Sequence, residues 1–339
     1  MPIEHSRHIP TRALITGING SGASYLAEQL SADERWHVAG LSRWRGTSSA
    51  SNIAHIQPPP EVFECDLLDP YRVKEVIDWY NPNVVFHMAA YANVRASFDV
   101  PMTVMDNNVR GTQHLLEACR SIKHREKPLF VMCSSSEVYG DVQQDDLPIT
   151  EDQPFRPVSP YAVSKAAQDL LGYQYFAAYG LPVVTTRMFA YVNPRRPDIF
   201  TSAWARQIAR MEQGLQSPEL LHGNLESTRV FLDVQDAMSA YVMAASRGTP
   251  GEAYNIGGTD IIRVGDVLKV LAKHTTVDFT PVESPDLMRP TDVTLQIPCS
   301  DKFVEAIGGR WNPRVTFVQS IARLMEYWRD RVRREEPTD

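Results

Sequence analysis

The stretch with the most chemical content is Ser159-Pro160-Tyr161-Ala162-Val163-Ser164-Lys165. Ser159 is a good N-cap and Pro160 suits the first helical position, so the segment reads as a helix start. Tyr161 and Lys165 then lie one turn apart on a common face. A nearby ammonium stabilises tyrosinate and lowers the phenol from its ordinary pKa of about 10. Such a phenol can take a proton from an alcohol while hydride leaves to a nicotinamide. A second polar run, Cys133-Ser134-Ser135-Ser136-Glu137-Val138-Tyr139-Gly140, follows an apolar, strand-like segment. Open α/β sheets place their ligands at the C-terminal ends of strands. There Ser135 can hold a reacting oxygen, and Glu137 is a candidate general acid or base. A plain turn with local side-chain bonds is the alternative for this run.

These residues need a frame to bring them together. Ala13–Thr16, Trp36–Leu41, Val62–Cys65, Val84–Ala90, Leu129–Cys133 and Val183–Met188 read as strands. Ser24–Leu30 and Asn108–Arg120 read as helices, the second with Val109, Leu115, Leu116 and Cys119 on related faces. This alternation predicts an α/β fold, a Rossmann-type doubly wound parallel sheet. After about residue 190 the rhythm changes. Pro194, Arg195, Arg196 and Pro197 mark a loop, Phe200–Gly214 and Val264–His274 look helical, and Gly251–Gly258 suggests a strand returning to the sheet. The expected division is a nucleotide-binding domain over 1–189 with a return segment near 228–258. A smaller mixed α/β substrate lobe takes 190–227 and 259–330, and a charged tail over 331–339 is expected to fray.

Thr16-Gly17-Ile18-Asn19-Gly20-Ser21-Gly22-Ala23 lies between the first strand and the first helix. Gly17 permits a tight turn, and Gly20 lets the backbone approach a pyrophosphate that the helix amides then face. Gly17, Asn19, Gly20, Ser21, Gly22 and Ala23 are thus cofactor-binding candidates, although glycines between strand and helix are also ordinary turn residues. The second strand ends in Leu41-Ser42-Arg43-Trp44-Arg45, with no acid for a ribose hydroxyl. Two guanidinium groups suit a 2′-phosphate, so Arg43 and Arg45 point to NADP; a solvated basic loop is the alternative. Asp66 and Leu67 follow the third strand and could contact adenine. Ala89 and Ala90 end the fourth, where small residues let a cofactor lie close or simply pack tightly.

Across its 339 residues the chain is 43% hydrophobic and 22% charged, with a net charge of −7, which removes the electrostatic case for general nucleic-acid binding. No signal-like N-terminus is evident, and no window reaches the roughly 18 apolar residues of a membrane span. Cys65, Cys119, Cys133 and Cys299 are far apart, so neither a metal site nor a disulfide framework is expected. A reduced cytoplasmic protein is the simplest expectation.

From about Arg12 to about Arg329 the chain resembles the extended short-chain dehydrogenase/reductase family, and within it the GDP-mannose 4,6-dehydratases and the GDP-4-keto-6-deoxy-mannose reductases. TGINGSGASYLAEQL, SRWRGTSS, SSSEVYG, SPYAVSK, NPRRPDIF and MRPTDV look dehydratase-like. RQIARMEQGLQ, STRVFLDVQDAMSAY and GEAYNIGG look equally or more reductase-like. The resemblance implies a GDP-sugar substrate and NADP. It also implies that Ser135 holds the sugar C4 oxygen, Glu137 is the base at C5, and Tyr161 with Lys165 is the redox pair. Asn108 matches a buried Asn that supports the active-site helix and joins the cofactor-binding set. Arg229 and Arg289 match arginines that contact the nucleotide or its phosphates, and Arg206 is a further substrate-binding candidate. Three positions depart from the pattern: Ala23 replaces a glycine, Ser135 replaces the Thr usual in dehydratases, and Ala190-Tyr191 stands in place of Asn-His. The resemblance favours a nucleotide-sugar 4,6-dehydratase. A reductase or an epimerase of the same family is the alternative, and an inactive NADP sensor a remote one. Helices 108–120 and 161–179 are expected to pair across a two-fold axis as a homodimer, with Arg43–Ser49 as a possible tetramer contact.

Overall fold

A computed structural model of the protein describes residues 10–43, 52–309 and 311–335. The first part runs β1 (Thr11–Thr16), α1 (Ala23–Ser31), β2 (Trp36–Ser42), β3 (Glu61–Glu64), α2 (Pro70–Tyr80), β4 (Val84–His87), α3 (Val94–Ser97), α4 (Pro101–Met105), α5 (Gly111–Arg120), β5 (Leu129–Cys133), α6 (Pro160–Tyr179) and β6 (Val183–Met188). It continues as β7 (Tyr191–Val192), α7 (Phe200–Glu212), β8 (Glu219–His222), β9 (Thr228–Val230), β10 (Leu232–Asp233), α8 (Val234–Arg247) and β11 (Ala253–Ile256). The last elements are β12 (Ile261–Arg263), α9 (Val264–Ala272), β13 (Thr280–Glu283), β14 (Leu295–Gln296), α10 (Asp301–Ala306) and α11 (Phe317–Glu335).

Seven strands form one sheet in the order β11-β6-β5-β4-β1-β2-β3, and every pairing in it is parallel. Strand order reverses between β1 and β4, the place where such sheets open a crevice for ligands. The central strands are apolar because helices cover both their faces: all four residues of β4 are buried, and so are the last four of β5. One layer of core holds Ile15, Leu26, Phe86 and Met238, and the other holds Leu14, Ile77, Leu116 and Phe130. A third cluster around Trp204, Ile208, Leu268 and Trp328 builds the smaller lobe from α7, α9 and α11. The Rossmann-type doubly wound sheet expected from the sequence is what the chain forms.

Four details differ from that expectation. The fourth strand stops at His87, because the Ala89 N–H turns to Thr16 Oγ1 (2.9 Å) and the Tyr91 N–H to Asn108 Oδ1 (2.6 Å). The helix expected from Asn108 begins as a π-helical turn over Asp106–Arg110 that joins α4 to α5. Thr228–Val230 is not in the returning segment: it pairs with β12 and β14 in a three-stranded sheet, and α8 and β11 make the return. The tail does not fray from residue 331, since α11 runs on to Glu335 and buries Val332 in the smaller lobe's core.

Candidate active site

Local sequence explains how the reacting groups are placed. Ser159 caps α6, its hydroxyl accepting the Ala162 N–H at 3.1 Å, and Pro160 takes the first turn. That fixes Tyr161 and Lys165 on the inward face of α6, both buried. Ser135 leads a short 3-10 turn after β5, and its Oγ accepts the Glu137 N–H at 3.2 Å. Ser135, Glu137, Tyr161 and Lys165 all line one cavity of about 650 Å³ between the two lobes.

The electrostatics correct one expectation. Burial pushes the Tyr161 phenol up to about 12; the Arg196 cation and a hydrogen bond with Ser135 oppose that rise. Lys165 is turned elsewhere. Its Nζ donates to the Cys133 carbonyl at 2.6 Å, at the end of β5, and burial pulls the ammonium down to about 8. Tyr161 therefore stands protonated at neutral pH. In the sequence Arg196 stood in a Pro-bracketed loop and in the dehydratase-like segment NPRRPDIF, without a role of its own. It donates to the Ala92 carbonyl (2.6 Å) and to Asp198 (3.3 Å), and it lines the cavity.

A buried relay connects this site to the glycine-rich turn. Thr112 Oγ1 donates to the Asn108 carbonyl and meets His87 Nε2 at 2.7 Å. His87 Nδ1 meets Thr16 Oγ1 at 3.0 Å, and Thr16 Oγ1 itself accepts the Ala89 N–H. Burial, then the Lys165 charge, pull the His87 imidazole down to about 3, so it stays neutral. Asn108 spans the Tyr91 backbone and donates to Ser164 Oγ (2.8 Å), which donates to the Tyr161 carbonyl (2.7 Å). Asn108 is wholly buried and does not line the cavity. Through Ser164 it braces the start of α6.

The turn before α1 fits a dinucleotide. Gly17 has φ +66°, and a Cβ there would stand 3.1 Å from the Ala89 Cα. A Cβ on Gly20 would meet the Gly17 carbonyl at 2.9 Å, and one on Gly22 the Tyr191 hydroxyl at 3.0 Å. With Asn19, Ser21 and Ala23 this makes a cradle that side chains would fill, at a helix N-terminus suited to phosphate. Asn19 Nδ2 donates to Ser42 Oγ (2.8 Å), tying the cradle to the end of β2, while its buried Oδ1 has no hydrogen-bond partner among the described residues. Arg43 is exposed just beyond β2, whereas Arg45 lies outside the described residues. Asp66 is exposed and accepts the Leu68 N–H (2.9 Å). Leu67 is buried against Gly111 and its carbonyl meets His114 Nδ1 (2.8 Å). Ala89 packs on Gly17 and Ala90 lines the cavity.

At the other end, Arg229 and Arg289 face the cavity and converge on Asp292 (3.8 and 3.4 Å), with Arg289 also 3.9 Å from Glu137. Arg206 does not join them. It points from the far side of α7 over the Trp328 ring, and Ala203, Trp204 and Gln207 present the cavity face instead. Six buried polar atoms of cavity-lining residues have no hydrogen-bond partner among the described residues: Arg95 Nε, Ser134 Oγ, Asn193 Nδ2, Thr201 Oγ1, Arg229 Nη1 and Gln296 Nε2. Sequence reading singled out none of these except Arg229. A surplus of donors suits an oxygen-rich, anionic ligand.

The model for GDP-mannose 4,6 dehydratase matches residues 14–324. The chain belongs to the GDP-mannose 4,6-dehydratase family. The chain is 33% identical to the GDP-6-deoxy-D-mannose reductase of Pseudomonas aeruginosa over 308 residues, 89% of this chain and 99% of that one. It is 32% identical to the GDP-mannose 4,6-dehydratase of Yersinia enterocolitica over 276 residues, 79% of this chain and 73% of that one. A solved structure of RMD from Pseudomonas aeruginosa complexed with NADPH superposes with a TM-score of 0.81 at 30% identity, covering 95% of this chain and 100% of that one. These matches bear out the resemblance to extended short-chain dehydrogenase/reductase enzymes drawn from the motifs. Both chemistries weighed from the sequence, dehydration and reduction, occur among these relatives.

Proposed function

We propose that this enzyme exchanges hydride between NADP(H) and C4 of a GDP-linked hexose, in the 4,6-dehydration of GDP-mannose. The observation that carries the reading is Glu137 beside Ser135 and Tyr161 in one cavity, with Arg229 and Arg289 at its far end. When bound, the nicotinamide supplies reversible hydride storage. Ser135 and Tyr161 hold the C4 oxygen, and Tyr161 takes its proton in the tyrosinate form, which positive charge beside the phenol, from Arg196 and from an oxidised nicotinamide when bound, would favour over the neutral phenol. Once C4 is a ketone, Glu137 removes the acidified C5 proton and passes it to the C6 hydroxyl, which leaves as water; hydride returned to C6 and a proton returned to C5 would then complete the 4-keto-6-deoxy sugar. Arg229 and Arg289 hold the diphosphate, and the buried relay keeps Tyr161 in register with the glycine-rich turn.

A second reading is the single reduction of a GDP-4-keto-6-deoxy hexose. Two observations favour it: Tyr161 stands protonated, ready to donate to a carbonyl oxygen, and the reductase match spans 99% of that enzyme. Proton NMR of the products separates the two readings. GDP-mannose supplied alone yields a 4-keto-6-deoxy sugar under the first, and stays unchanged under the second.

Cofactor choice rests on Arg43, exposed just beyond the end of β2 and without an acidic neighbour in the sequence. Arg43→Ala is expected to weaken NADP binding at least tenfold and to leave NAD binding nearly unchanged, measured by fluorescence titration. Equal effects on both would show that Arg43 does not read the 2′-phosphate.

A homodimer accounts for the outer face of α6. Val163, Leu170 and Tyr173 are exposed there, with Met102 exposed on α4, which packs beside α6. Those positions make an apolar stripe that pairing across a two-fold axis would cover. Light scattering should return twice the chain mass at micromolar concentration, and Leu170→Lys should shift it toward the monomer. A monomeric wild type would reject the assembly. Most of the loop considered for a tetramer contact, residues 44–49, lies outside the described residues.

A further inference from the structure

Gln296 lies on β14 in parallel register with Arg229 on β9. Register partners on neighbouring strands present their side chains on the same face, about 5 Å apart. Both residues line the cavity. Gln296 is only 2% exposed, yet its Nε2 has no hydrogen-bond partner among the described residues. Arg229 gives one nitrogen, Nη2, to the Val293 carbonyl at 2.8 Å and leaves Nη1 unpartnered. An unpaired buried donor destabilises the fold, and two of them side by side are an unfavourable way to close a wall. The same pair is favourable once a charged oxygen stands before it, because a guanidinium and an amide then donate together. Asp292 and Glu137, the nearby carboxylates, are already faced by Arg289.

We propose that Gln296 is a substrate-binding residue that, together with Arg229, grips a phosphoryl oxygen of a nucleoside diphosphate. The inference rests on the nucleotide-sugar reading of the cavity and adds a contact to it. A phosphoryl oxygen accepts only, so it selects the amide orientation that turns nitrogen inward. A ligand without that oxygen leaves Gln296 dry.

The test titrates GDP into the full-length wild type, Gln296→Leu and Gln296→Glu by calorimetry, with cofactor affinity and Tm measured on each. Gln296→Leu should lose roughly ten- to a hundredfold in GDP affinity. Gln296→Glu should lose more, since its carboxylate repels phosphate. Cofactor affinity should not move. The ligand-free Gln296→Leu protein should melt no lower than the wild type, because an unpaired amide has been removed. That pairing, lower affinity without lower stability, is not produced by a merely structural glutamine. GDP affinity within twofold of the wild type in both variants overturns the inference and leaves the proposed function standing. Loss of Tm together with loss of cofactor affinity also overturns it. A wild type that binds none of GDP, UDP and dTDP overturns both.

Discussion

Tyr161→Phe is expected to cut turnover by roughly 10²- to 10⁴-fold while cofactor and GDP-sugar still bind. The ring fills the same space at the start of α6, and the capping bond of Ser159 to the Ala162 N–H does not involve it. What disappears is the phenol hydrogen-bonded with Ser135, and with it the group that exchanges a proton with the C4 oxygen. Ser135 cannot replace it: a lone hydroxyl is a far poorer base, and its oxygen already accepts the Glu137 N–H. Single-turnover rates with binding constants measured in parallel check this. Turnover within tenfold of the wild type would show that another group moves the proton.

Glu137→Gln is expected to lower dehydration by a comparable roughly 10²- to 10⁴-fold. The amide is nearly the same size, so the 3-10 turn and its bond to Ser135 survive, but it cannot act as a base at neutral pH. Arg289, 3.9 Å away, loses an ionic neighbour and keeps Asp292 at 3.4 Å, so the diphosphate end stays organised. Incorporation of solvent deuterium at C5 should fall in step with turnover, and oxidation at C4 should persist. Normal dehydration by the variant would remove Glu137 from the mechanism.

Much of this was legible in the sequence because it is local. The apolar run Leu129–Cys133, the capped start of α6 and the glycines after β1 each announce their element within a few residues. Ser135, Glu137, Tyr161 and Lys165 could be named because the turn and the helix that carry them have their own signatures. What could not be read is the meeting of distant segments. Lys165 turns to the Cys133 carbonyl, 32 residues away, instead of toward the phenol. His87 reads as one more residue of a buried strand, and only the fold sets it between Thr16 and Thr112. Arg206 and Gln207 are adjacent in a helix, and which of the two faces the cavity depends on how α7 packs against α11. Gln296 had no motif around it, and only its pairing with Arg229 gives its amide a purpose.

The most direct test of hydride exchange at C4 uses GDP-mannose carrying deuterium at C4, incubated with the purified protein and no added reductant. Storage of that hydride in the site and its return to the same sugar predicts a 4-keto-6-deoxy product with deuterium at C6, visible by NMR. Unchanged GDP-mannose, together with NADPH consumed by the 4-keto-6-deoxy sugar, would contradict the dehydratase account and establish the reductase.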